Sequence, residues 1–234
     1  SNFVLTLKPE WAARARTMLA QSAEYVKRAR EVETTTEAQQ SLDKQIAQLS
    51  SMSDLAKQVE DKLLTAAKIA HDKLQPASNK INDMLTEINA AARDANNDAI
   101  LAMIDDAYSL FTKLEVAIGV YNATYLPEDG AKVAGLMDEF HTTLAKIEPA
   151  ITAEKTREAH KHLMEAFTDY SGGFKALKSA IEEASQARTK LTATATALSD
   201  FFDGYTADAQ KNMDAVGTAT RESNDGAQTL MVSA

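Results

Sequence analysis

From Phe174 to Val216 the chain keeps a single helical seam. Phe174, Leu177, Ile181, Ala184, Arg188, Leu191, Ala195, Leu198, Phe202, Tyr205, Ala209, Met213 and Val216 follow one another at steps of three and four. Such spacing puts all of them on one line only if the segment is a helix packed along that side. A helix from about residue 173 to about residue 229 is roughly 85 Å long at 1.5 Å per residue. A compact globule of this chain length is only about 45 Å across. The sequence therefore predicts an elongated rod. The one charged member of the seam, Arg188, adds a second constraint. An inward-facing guanidinium has to be paired or held ready for an anion.

Composition supports an all-α fold. Gly (8) and Pro (4) are scarce in 234 residues, aromatics are 6%, and 44% of the chain is hydrophobic, enough for a narrow helical core. The net charge of −9 argues against nucleic acid as a partner, because a phosphate backbone selects basic surfaces. No Lys/Arg run forms a patch for anionic lipid. Cysteine is absent, which excludes disulfides, thiolate metal sites and a thiol nucleophile. No apolar run is long enough to span a bilayer. The opening Ser1-Asn2, without Met, reads as a cleavage remnant, so the chain is expected to be a piece of a longer protein.

Breaks are few and therefore informative. Pro9 opens a first helix that runs to about Val32, and Thr34-Thr35-Thr36 is a weak turn with a Thr to cap the next helix. A second helix carries Leu42, Ile46, Leu49, Ala56, Leu63, Ala67, Ala70 and Leu74, and Pro76 is expected to end it. A long third helix runs from about Ser78 to Tyr125. Leu126-Pro127-Glu128-Asp129-Gly130 is the clearest turn. A short fourth helix stops at Glu148-Pro149, a short fifth runs to Tyr170, and Gly172-Gly173 turns into the long sixth. Two long and four short helices, joined by short loops, predict two stacked four-helix bundles. The single domain 1–234 would then have a basal bundle of about 1–98 plus 200–234 and a distal bundle of about 99–199. Both termini would lie at the basal end.

This order of helix lengths, with the Tyr-rich helix end before Leu126-Pro127-Glu128-Asp129-Gly130 and the segment Asp169-Tyr170-Ser171-Gly172-Gly173-Phe174, resembles the helical bimodular sensor domain of bacterial methyl-accepting chemotaxis proteins and of some sensor histidine kinases. The resemblance implies a periplasmic domain of an inner-membrane receptor, flanked by two transmembrane helices and forming homodimers. It also implies that a small ligand, often an organic acid, binds inside one or both bundles.

Two candidate layers are visible in the residues themselves. In the distal bundle, Arg188, Tyr108, Phe111 and Arg157 fall at similar depth if the helices pair as expected. A planar guanidinium fork matches a carboxylate, and rings would wall its carbon part. The alternative is that Arg188 pairs with a neighbouring carboxylate or reaches the surface. In the basal bundle, Trp11, Arg14, Met18, Gln21, Tyr25, Arg28 and Val32 share one stripe, with Phe202 and Tyr205 at the level of Tyr25. Arg14, Tyr25, Arg28 and Tyr205 are the candidate contacts. A dimer interface or a solvated helix edge would give the same stripe.

His160 and His162 lie on different sides of a helix, and His71 and His141 are isolated, so no metal site is expected. Adjacent carboxylates at Asp105-Asp106 and Glu182-Glu183 diverge. There is no phosphate loop, serine elbow or HExxH pattern, so neither an enzyme nor a cofactor is expected. The expected function is a chemoreceptor sensor domain that recognises a small organic anion and passes a helix shift to a transmembrane segment. The alternatives are a histidine-kinase sensor domain, or a helical rod in a coat, adhesin or secretion assembly.

Overall fold

The computed structural model describes the backbone of residues 9–232, and its side chains except those of residues 9–12, 205, 206, 208, 209, 212, 215, 216, 219 and 221–232. Trp11 and Tyr205 thus lie outside the described side chains. The described residues form helices and turns, with no strand among them. Five helices succeed one another: α1 (Pro9–Val32), α2, α3 (Asp98–Thr124), α4 (Pro127–Ile147) and α5 (Glu154–Val232). Helix α2 runs without a break from Thr36–Ile69 through a π-helical turn, Ala70–Leu74, into Gln75–Asp94.

Two of the expected breaks are helical and one unexpected break falls at Asn96-Asn97, so six helices become five. Pro76 does not end α2. A proline inside a helix lacks an N–H, and its ring presses on the carbonyl four residues back, here Asp72. The wider π turn at Ala70–Leu74 contains that carbonyl and relieves both problems. Gly172-Gly173 does not turn either: both residues lie within α5 and neither has positive φ. Their place in the helix has a packing cause. A Cβ on Gly173 would stand 3.0 Å from the Leu74 side chain, so α5 and the π turn meet where glycine lets them approach.

The actual break in this region falls at Asn96 and Asn97. Asn96 takes left-handed geometry (φ 50°), which asparagine tolerates. The Asn97 side chain then accepts the Ile100 N–H at 3.1 Å and caps α3. Tyr125 (φ 56°) closes α3, and Pro127 starts α4 at a position where its missing N–H costs nothing. Gly130 is not a turn residue but lies within α4, where a Cβ would come within 3.1 Å of the Tyr121 ring. A 3-10 turn, Glu148–Ala150, ends α4 as Pro149 predicts. Between α1 and α2 the cap comes from Glu33 and not from a threonine. Its Oε1 accepts from Thr34 N (2.8 Å), Thr35 N (3.0 Å) and Thr35 Oγ1 (3.1 Å). Those bonds, led by the Thr35 N–H, hold its carboxyl below the usual range.

The chain divides into two compact units, 1–16 with 56–187 and 17–55 with 188–234. The divisions expected from sequence fall near residues 98 and 199. The larger unit packs four helical segments around one core: the second part of α2, then α3, α4 and the first part of α5. Its centre is filled with rings. Phe111 lies 5.3 Å from Phe140 and 5.5 Å from Tyr170, and Phe140 lies 5.3 Å from Phe167. Burial, with a smaller effect of Glu182, pushes the Tyr121 phenol up to about 12. The smaller unit has three segments, from α1, α2 and α5, around Val26, Leu42, Leu49, Met52 and Leu198. It is therefore not the four-helix basal bundle that the sequence suggested.

The two adjacent glycines of α5 should respond oppositely to substitution. Gly172 has nothing within 4 Å of a Cβ, so Gly172→Ala should raise stability by about 1 kcal/mol through helix propensity. Gly173→Leu should lower it by about 1–3 kcal/mol by overpacking Leu74. Urea denaturation measures both, and equal responses would remove the close approach as the reason for Gly173.

Candidate functional site

The inward positions of α2 in the smaller unit are Leu42, Gln45, Leu49 and Met52, a strict alternation of three and four. Helix α1 brings Val26 with Leu19 and Ala23, and α5 brings Leu198 with Leu191 and Ala195. Three stripes do not close over one another as four do, and a groove of about 690 Å³ remains. Leu19, Val26, Leu42, Leu49, Leu198 and Phe202 form its apolar walls, and Tyr25 and Val32 stand at its rim. Its polar groups are Ser22, Glu33 and Gln45, and no Lys or Arg lines it among the described residues.

Gln45 gives the groove its chemistry. The residue is 1% exposed, and its Oε1 is buried without a hydrogen-bond partner. A primary amide carries two donors on nitrogen and an acceptor oxygen. Leaving such a group unmatched costs about 1–3 kcal/mol, so an orphan amide in a core calls for an explanation. A group that both donates and accepts, such as a carboxamide or a protonated carboxyl, would match it. One turn beyond the groove residue Val26, Arg30 of α1 grips Asp43 of α2 through two bonds, Nε to Oδ1 at 2.5 Å and Nη2 to Oδ2 at 3.2 Å. The bond from Arg30 holds the Asp43 carboxyl below its ordinary range. That pair keeps α1 and α2 together without entering the groove.

Of the candidates proposed from sequence, Tyr205 lies outside the described side chains, and the others fall elsewhere with one exception. Arg188 is exposed and not on the buried stripe. The buried positions are Ala184 and Ala187, followed by half-buried Leu191, so the step of three comes one interval early and an alanine takes the inward place. Arg188 belongs to the smaller unit, and Tyr108, Phe111 and Arg157 to the larger, so the anion layer drawn through all four is not formed within either unit. Phe111 is core, 1% exposed among the rings. The Tyr108 hydroxyl bonds Thr86 Oγ1 at 2.6 Å. Arg157 is exposed and bonded to Glu154 (2.8 Å) in the first turn of α5. Arg14 and Arg28 are exposed, with Met18 and Gln21, on the outer face of α1. Tyr25 alone reaches the groove, at its rim, 71% exposed.

Gln45 was within reach of sequence reasoning. It stands three residues after Leu42 and four before Leu49, but Ile46, one position on, is the more apolar choice for the same stripe. The comparison with known proteins adds no assignment: no family model and no curated sequence matches this chain.

Replacing the orphan amide by a near-isosteric apolar side chain should stabilise the protein. Gln45→Met is expected to add about 1–3 kcal/mol in chemical denaturation of the unliganded chain. A loss of stability would mean that Gln45 has a partner in solution and is an ordinary core residue.

Proposed function

We propose that this chain is the ligand-binding sensor domain of a bacterial chemoreceptor, and that the groove between α1, α2 and α5 in the smaller unit is its ligand seat. The observation that carries the reading is the orphan Gln45 amide in an otherwise apolar groove. The resemblance of the helix order to helical bimodular sensor domains supports it. In this reading the domain is periplasmic and flanked by membrane-spanning segments. A histidine-kinase receptor would use the same device.

The groove narrows the ligand class. Without a lining cation among the described residues, and with Glu33 at its edge, it favours a neutral head over a free carboxylate. The ligand is a small, mostly apolar molecule ending in a carboxamide or a carboxyl that binds protonated. Its body covers Leu19, Leu49 and Leu198, and its head meets Gln45. Such a molecule touches all three helical segments at once. It stabilises the packing in which they approach one another, and this differential affinity is what shifts a two-state receptor. A shift of α1 against α5 of an ångström or two belongs to the known range of helix-interface transitions.

Calorimetric titration with short aliphatic and aromatic amides and their parent acids, at pH 5 and pH 7, tests this. At least one amide should bind equally at both values, and its acid should bind better at pH 5. Gln45→Met should weaken binding by at least about tenfold. Absence of heat and of any melting shift across the panel, or unchanged affinity in Gln45→Met, would remove the groove as the seat.

A second reading concerns the homodimer. The outer face of α1 leaves Met18 (60%), Tyr25 (71%) and Val32 (80%) exposed in line with Arg14 and Arg28. Exposed apolar side chains flanked by arginines are the usual anchors of protein contacts. Sedimentation equilibrium should find a dimer that Met18→Glu dissociates, since Met18 is not a groove residue. A monomer at all concentrations would leave this face as plain surface.

A further inference from the structure

The π-helical turn opens a recess in the larger unit, separate from the groove above. It holds about 570 Å³ between α2, α3 and α5. Apolar side chains, among them Ala70 and Ile118, form part of its walls, and Ser78, Glu115 and Tyr170 are among its polar residues, with His71, Gln75, Asn79 and Asn122. No Lys or Arg lines it among the described residues; its one carboxylate is Glu115, and its one imidazole, His71, is bonded through Nδ1 to Gln75.

Three observations separate this recess from an ordinary surface dent. Tyr170 is 2% exposed and lines the recess, yet its hydroxyl makes no hydrogen bond among the described residues. Burial first, and the charge of Glu115 second, push this phenol up, so it stays a neutral hydroxyl with free lone pairs. Ser78 donates to Glu115 Oε1 and fixes the carboxylate, whose other oxygen has no partner among the described residues, in the wall of the recess. Gly119 lines the recess from within α3, where a glycine weakens the helix, and a Cβ there would meet nothing within 4 Å. Packing therefore does not require that glycine, and its lack of a side chain leaves the recess open on that side.

We propose that this recess is a binding site for a small organic ammonium, a primary amine on a short hydrocarbon body. The ammonium offers three donors and one positive charge. Glu115 supplies the counter-charge, the Tyr170 oxygen accepts a second bond, and Asn122, which also lines the recess, carries an amide oxygen for a third. The hydrocarbon lies against Ala70 and Ile118. The amide and acid ligands of the groove lack the charge that Glu115 requires.

Titration of the full chain with butylamine, butane-1,4-diamine and phenethylamine, with butyrate and butanamide as controls, tests the site by heat and by melting shift. At least one amine should bind, and neither control should bind with a dependence on Glu115. Glu115→Gln keeps a hydrogen-bonding group for Ser78 and removes the charge, so amine affinity should fall by at least about tenfold. Gly119→Leu should abolish amine binding without lowering the melting temperature. Gln45→Met should leave amine binding unchanged, which separates this site from the groove. No binding by any of the three amines, or equal binding by wild type and Glu115→Gln, overturns the proposal.

Discussion

Pro76 cannot donate a hydrogen bond, and its ring would press on the Asp72 carbonyl; α2 stays helical through it only because Ala70–Leu74 widen to π geometry. The extra residue has a consequence for register. Before it, the buried positions of α2 run Ala56, Val59, Leu63 and Ala66. After it they resume at Leu74, Ala77, Ile81, Leu85, Ile88 and Ala92; apart from Ala77, each is one residue later than a regular alternation from Ala66 would place it. The π turn thus lets one helix present its apolar face to the core on both sides of a proline. Leu74, brought inward by the same turn, needs a partner without a side chain, and Gly173 of α5 provides it. The recess beside the turn exists for the same reason, since a widened helix does not fill the space of a regular one.

The two units solve the packing problem differently. The larger closes four apolar faces over a ring cluster, and Phe111, Phe140, Phe167 and Tyr170 fill its centre. The smaller has three faces and closes only partly, so its groove is a consequence of helix number and not of any one residue. A polar side chain at a core position then matters more than it would elsewhere. In a closed core, Gln45 would be an uncompensated loss. Beside an open groove, under the proposed function, it becomes the recognition group for the ligand's head.

Much of the fold was legible because helical periodicity and proline and asparagine chemistry are local. The all-helical class, α1, the stop at Pro149 and the inward line of Phe174, Leu177, Ile181 and Ala184 all come from spacing. The misread breaks share one cause. Pro76 and Gly172-Gly173 are strong local punctuation, but the surroundings of each decide: a π turn accommodates the proline, and Gly173 lets Leu74 approach α5. The Asn96-Asn97 break was available in the sequence, as a left-handed residue followed by an N-cap, but Pro76 is the stronger local signal of the two.

The site was less legible, for a geometric reason. Arg188 sits one position from the inward line, and a helix turns by about 100° per residue, so a single step changes buried to exposed. The stripe with Tyr25 and the stripe with Val26 are both plausible seams for α1, and only contact with Leu42 and Leu198 selects the second. By itself, the sequence determined that this chain is helical, where most of its helices begin and end, and that its core is narrow. The tertiary structure alone decided which of two neighbouring stripes faces inward, whether a glycine pair bends or merely lets a neighbour approach, and which polar side chains are left without partners. Those outcomes depend on what stands across from a residue, and spacing along one chain carries no record of it.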